Sequence, residues 1–151
     1  MRINLSFIII IHFLFISISL AEEKCTHTDT QFNCVKFIKN YDGDTLTFKI
    51  PNVHPFFGKK LIVRLYGVDT PEIRTKDKCE KKKGRIARNL VKNLLSRAKT
   101  ISLQPVTAKE KYGRLLAKVT FDKKDLGEIL IKNNLAYKYF GKKKHLKDWC
   151  K

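Results

Sequence analysis

The chain has 151 residues, 32 Lys+Arg against 14 Asp+Glu and a formal net charge of +18 at neutral pH. Its length suits one domain. The excess charge points to polyanions as partners, namely nucleic acid, anionic membrane or acidic glycan, and away from a basic face kept for solubility alone.

The first residues read as an export signal. Met1-Arg2 precedes an apolar run over 8–18, broken by His12 and Ser17, and Ser19-Leu20-Ala21 offers a small-x-small exit before Glu22-Glu23-Lys24. A membrane anchor needs about 20 apolar residues, so the run suits a signal peptide over 1–21, cleaved after Ala21, better than an anchor. Cys25 stands too far from that point to be a lipid-modified first residue. Arg2 is the one charged residue of 1–21, so the remaining chain keeps +17. The expectation is a secreted or periplasmic protein with no stable membrane insertion after cleavage: an N-terminal segment over 22–33, then one domain over 34–151.

Val35-Lys36-Phe37-Ile38 and Leu46-Thr47-Phe48-Lys49-Ile50 alternate as half-buried strands do. Asp42-Gly43 between them is a turn, with the glycine expected at positive φ. Residues 51–58, with two prolines and a glycine, read as a loop, and 61–68 as one longer apolar strand. A charged stretch over 74–83 leads into a helix whose apolar face is Ala87, Leu90, Val91, Leu94, Leu95 and Ala98, with Arg88, Lys92 and Arg97 opposite. Ile101 and Leu103 open another strand, and Leu115, Ala117, Val119 and Phe121 alternate along the next. Asp125 with Glu128 three residues on forms a capping-box signature for a second helix through Leu130. Three strands, a helix, two strands and a helix fit a small closed barrel of the oligonucleotide-binding kind. Periodicity leaves an open α+β sheet as the alternative.

Cys25, Cys34, Cys79 and Cys150 form an even set, which in an exported domain implies two disulfides with three possible pairings. The expected pairs are Cys25–Cys34, closing a short loop, and Cys79–Cys150, tying the chain's end to its middle. With no C-x-x-C and scattered His27, His54 and His145, zinc is disfavoured.

Asp42-Gly43-Asp44-Thr45 and Asp69-Thr70-Pro71-Glu72 are the informative minority in so basic a chain. Hydrolysis of a phosphodiester requires hard oxygen donors for a dication, a base for water and guanidiniums for the charged transition state. Asp44, Asp69 and Glu72 are acids of the right kind. Arg64, between apolar Val63 and Leu65, needs a carboxylate or phosphate mate. Arg114 lies in Lys111-Tyr112-Gly113-Arg114. Taken alone, Asp-Gly-Asp is a common turn, and Asp-Thr-Pro-Glu is an ordinary helix start.

In this order and spacing, Asp-Gly-Asp-Thr, Arg-Leu-Tyr-Gly-Val-Asp-Thr-Pro-Glu and Lys-Tyr-Gly-Arg resemble the staphylococcal (thermonuclease-type) nuclease family, over about 34–140. The resemblance implies an α+β, mainly β fold: a five-stranded oligonucleotide-binding barrel with two to three attached helices. It also implies a calcium-dependent endonuclease acting on DNA and RNA, with single-stranded or unwound substrate preferred, leaving 5′-hydroxyl and 3′-phosphate ends. By the same resemblance Asp44, Asp69 and the Thr70 carbonyl bind Ca2+, Glu72 is the general base, and Arg64 and Arg114 clamp the phosphate. Lys111 and Tyr112 match positions that contact a terminal phosphate, and a base-stacking aromatic falls near Tyr139 or Phe140. Asp42 is left to shape the turn. A monomer is expected. Set against the resemblance, the family's long final helix is expected to be largely missing after Trp149. Lysines 76–83 read as a phosphate-tracking surface or as a solvated helix start. The rival readings are a non-catalytic nucleic-acid-binding barrel and a basic protein that binds acidic glycan or lipid.

Overall fold

In the computed structural model, residues 25–109, 113–141 and 148–150 are described. The expected signal peptide (1–21), the start of the 22–33 segment, Lys111, Tyr112 and most of the basic tail lie outside these residues.

Five strands carry the body of the fold: β3 (Lys36–Asn40), β4 (Thr45–Lys49), β5 (Leu61–Leu65), β7 (Ile101–Lys109) and β8 (Leu115–Phe121). They lie in the order β7-β8-β5-β4-β3; β5 and β8 run parallel, and the other neighbours antiparallel. This is the mainly β, α+β arrangement expected of an oligonucleotide-binding barrel. The ladders leave the sheet open between its β3 and β7 edges, where one backbone bond crosses, from Val35 N to Ile101 O at 3.0 Å. Of the N-terminal segment expected over 22–33, residues 25–33 are described. These hold β1 (His27–Thr28) and β2 (Gln31–Phe32), and β2 extends the sheet beyond β7.

Alternation on the strands sends Leu46, Phe48, Val63, Leu65, Leu103, Ala117 and Val119 inward, each at most 2% exposed. Helix α2 (Lys78–Arg97) covers this core with Ala87, Val91 and Leu95, the face its 3.6-residue spacing foretells. Asp77 caps it, accepting the amides of Cys79 (2.7 Å) and Glu80 (3.0 Å). Lys78 and 81–83 therefore sit in the first turns of a helix. Helix α3 (Leu126–Lys132) follows the short β9 (Lys124–Asp125), with Asp125 accepting the Glu128 amide at 3.0 Å as the capping signature requires. The cysteines pair as expected, Cys25 with Cys34 (Cα–Cα 5.4 Å) and Cys79 with Cys150 (6.2 Å).

Three local expectations are corrected. The 61–68 stretch is not one strand: Gly67, at φ 82°, turns the chain between β5 and β6 (Val68–Asp69), and β6 pairs with β10 (Tyr137–Lys138). The 51–58 loop contains a helical turn, α1 (Pro55–Gly58), begun at proline where a missing N–H costs nothing. Gly43 is not at positive φ. It is glycine because a Cβ there would lie 2.8 Å from Thr70 Cγ2 and 3.0 Å from Ala87 Cβ.

Candidate active site

The turn at 42–44 is built locally. Asp42 Oδ1 accepts the amides of Asp44 (3.1 Å) and Thr45 (2.7 Å), an Asx-type closure that shapes the turn as expected. With no side chain at Gly43 to hold them apart, the turn packs against Thr70. The Thr70 amide then donates to Asp44 Oδ2 at 2.9 Å. The two acidic segments, 26 positions apart, are thus locked by one direct bond.

Strand register supplies the arginine. Thr45 stands opposite Arg64 in the β4–β5 ladder, and the Leu65 amide donates to the Asp44 carbonyl at 2.8 Å. The turn at Gly67 folds Asp69 back over the end of its own strand. Arg64 therefore reaches both acids: Nη1 pairs with Asp44 Oδ2, and Nη2 donates to Asp69 Oδ1 at 2.7 Å. All three are buried, at 8%, 5% and 5% exposure. The β6–β10 register puts Tyr137 opposite Asp69, and its hydroxyl donates to Asp69 Oδ2 at 2.9 Å.

Around these groups lies a cleft of about 380 Å³ lined by Tyr41, Asp42, Asp44, Thr45, Arg64, Asp69, Glu72, Arg114 and Tyr139. Glu72 is exposed, and Arg114 and Tyr139 are half-buried. Glu72 is held by its backbone, whose amide donates to Glu80 Oε1 of α2 at 3.1 Å. Gly84 of α2 lets the Pro71–Glu72 backbone lie directly on the helix, since a Cβ there would be 2.7 Å from the Pro71 carbonyl oxygen.

Three buried acids, Asp42, Asp44 and Asp69, share one buried cation, Arg64, among the described residues. Burial pushes the Asp44 carboxyl up to about 6, against the attraction of Arg64 and with added repulsion from Asp42 and Asp69. Burial alone would lower Arg64, but Asp44 and Asp69 beside it raise it, so it stays charged. Tyr137 is raised by burial and by donating to Asp69, so it acts as a neutral donor.

Of the residues singled out from sequence, Asp44, Arg64, Asp69, Glu72, Arg114 and Tyr139 meet in this cleft, and Thr70 stands directly behind it. Phe140 does not join: it is 63% exposed and packs edge-on against Tyr66 at 5.7 Å. Tyr41 and Tyr137 were missed. Tyr41 sits against the turn, with the Arg74 guanidinium 5.2 Å from its ring centre. Tyr137 has a weak sequence signal, its alternation with Tyr139, but its partner is fixed only by strand pairing.

A family model described as staphylococcal nuclease homologue matches residues 62–149, which take in Arg64, Asp69, Thr70, Glu72, Arg114 and Tyr139 but not Asp44. The chain is 36% identical over 96 residues to endonuclease YncB of Bacillus subtilis (strain 168). That match covers 63% of this chain and 43% of the relative, so the chain spans under half of the relative's length. With more than half of its residues inside the family match, this chain belongs to the staphylococcal nuclease homologue family.

Proposed function

We infer that this protein is an exported, calcium-dependent endonuclease that hydrolyses phosphodiester bonds in DNA and RNA, leaving 5′-hydroxyl and 3′-phosphate ends. One observation carries the reading: a single cleft gathers two buried carboxylates, an exposed glutamate and two guanidiniums from four separate stretches of a +18 chain.

The donor set fits a hard dication. Asp42, Asp44 and Asp69 outnumber Arg64, and a cation would favour the ionised form of Asp44 that burial disfavours. Among the described residues no three His, Cys, Asp or Glu side chains form a metal-holding group. The cation would thus rest on Asp44, Asp69 and the Thr70 carbonyl, with the open positions that calcium tolerates. When bound, it supplies charge neutralisation and polarisation at the scissile phosphoryl group.

The chain's own residues do the rest. Arg64, held by two acids, lines the cleft and would be available to a phosphate oxygen once their charge is shared. Arg114 supplies a second guanidinium for the charge of the five-coordinate phosphorus. Glu72, exposed in the cleft and fixed by its backbone, takes the proton of the attacking water as the P–O5′ bond breaks. The departing 5′ oxygen takes up a proton from solvent. Tyr139 offers a ring for a neighbouring base. The lysines in the first turns of α2 gather the strand, and the two disulfides suit an oxidising compartment. A monomer suffices, because every residue invoked belongs to one chain.

Plasmid DNA and RNA should be degraded with calcium and spared with chelator. Glu72→Gln should slow turnover about 10²–10⁴-fold while leaving the fold unchanged. Tight gel-shift binding without turnover in any metal would instead establish a non-catalytic binding module.

A further inference from the structure

At the end of β4 and β5 away from the cleft, the connecting loop holds out two phenylalanines. Phe56 and Phe57, on α1, are 83% and 70% exposed, the two most exposed large apolar side chains among the described residues. Backbone hydrogen bonds fix the turn that carries them. The amides of Phe57 and Gly58 donate to the His54 carbonyl at 2.9 and 3.1 Å, and the Ile50 amide donates to the Gly58 carbonyl at 2.8 Å. Gly58 is buried, with no room for a Cβ, which would lie 2.7 Å from the Ile50 carbonyl oxygen. The turn is therefore a pinned pedestal. Its rings pack edge to face at 5.2 Å, and Phe57 also meets His54 edge-on at 6.2 Å.

The surroundings of the pair are cationic. A hollow of about 480 Å³ beside the turn has Lys36, Lys49 and Lys59 on its walls and Ile50 and Val53 among its lining. Lys60 follows, exposed, and residues 45–68 contain no Asp or Glu. A rigid apolar tip ringed by lysines matches the boundary of an anionic bilayer. Phenylalanine has no polar atom to keep wet, and lysine ammoniums pair with lipid phosphates.

Nucleic acid fits less well. A base-stacking platform presents ring faces along the substrate track. These rings are engaged edge to face and stand apart from that track. In the β4–β5 ladder Arg64 pairs with Thr45 and Leu61 with Phe48, so roughly 10 Å of strand already separates the cleft from the loop's base.

We propose that the Phe56–Phe57 tip, with Lys49, Lys59 and Lys60, docks this protein peripherally on anionic phospholipid surfaces. The catalytic cleft, at the other end of the same strands, then faces away from the bilayer and stays open to polymer. The proposal does not depend on the nuclease reading, because its readout is binding to lipid.

The test is co-sedimentation with phosphatidylglycerol/phosphatidylcholine vesicles and with pure phosphatidylcholine vesicles at about 0.15 M salt, where long-range attraction is screened. Wild type should pellet with the anionic vesicles only. F56S/F57S keeps every charge and should bind them at least about tenfold more weakly, as two rings' apolar area returns to water. K49Q/K59Q/K60Q should also lose binding. All of these side chains are exposed, so thermal melts should match wild type. Gel-shift affinity of F56S/F57S for an oligonucleotide should be unchanged. Three results would each overturn the proposal: vesicle binding by F56S/F57S equal to wild type, which leaves only general charge attraction; no vesicle binding by wild type; or a loss of oligonucleotide affinity with lipid binding intact, which makes the tip a base-stacking surface.

Discussion

Asp44 accepts a backbone amide from Thr70 and a guanidinium from Arg64 while 5% exposed, beside two further carboxylates. Its folded carboxyl titrates near 6, above the ordinary 3.8. Between those values the native state holds a proton that the unfolded chain has released. This group's contribution to stability is therefore fullest below pH 4 and declines as pH rises through 6. The cation of the proposed function would have to displace that proton. Calcium binding measured by calorimetry at pH 5.5, in buffers of different ionisation enthalpy, should show proton release, and affinity should rise with pH up to about 7. Asp44→Asn should abolish the release. Release that persists in that variant would assign the proton to another group.

At the scale of elements, α2 sets the height of the 71–72 backbone above the core. Gly84 is costly inside a helix, by about 1 kcal/mol relative to alanine, and its place is explained by the Pro71 carbonyl lying where a Cβ would be. Gly84→Ala should thus fail to gain that stability. The methyl must push residues 71–72 outward, lowering the melting temperature and, with Glu72 displaced, cutting the single-turnover rate about tenfold or more. A variant that melts higher and cuts at full rate would show that Glu72 does not depend on this contact. Gly43 meets the same kind of demand: the turn can touch Thr70 only because no side chain intervenes. Gly43 is not explained by a positive φ, which is the reading that sequence alone suggests for it.

Across the whole molecule, the chain's end is tied into the site. Cys150 bonds to Cys79 in the first turn of α2, next to Glu80, which holds Glu72. Trp149 is buried with its ring 5.5 Å from that of Tyr137, which donates to Asp69. Replacing Cys79 and Cys150 with serine should cost about 2–4 kcal/mol of stability. It should also lower kcat, since Tyr137 loses the backing that aims it. Replacing Cys25 and Cys34, which line no part of the cleft, should lower the melting temperature and leave kcat unchanged. Equal kcat in both double variants would reduce the Cys79–Cys150 bond to a purely structural tie.

The sequence by itself determined most strand and helix faces, the capping of α3, an even cysteine set fit for two disulfides, and the acids and arginines of the candidate site. Those follow from short-range periodicity, from cysteine count and from acids and arginines standing out against a basic, apolar background. Only the tertiary structure decided where the 61–68 stretch turns, why Gly43 and Gly84 are glycine, and that Tyr137 serves Asp69 while Phe140 stands aside. Each of these is set by what a residue meets across the fold: a strand register, a helix surface, a carbonyl 13 positions away. Contacts of that range leave no periodic trace in the chain, because their cause is the packing of distant segments around one core.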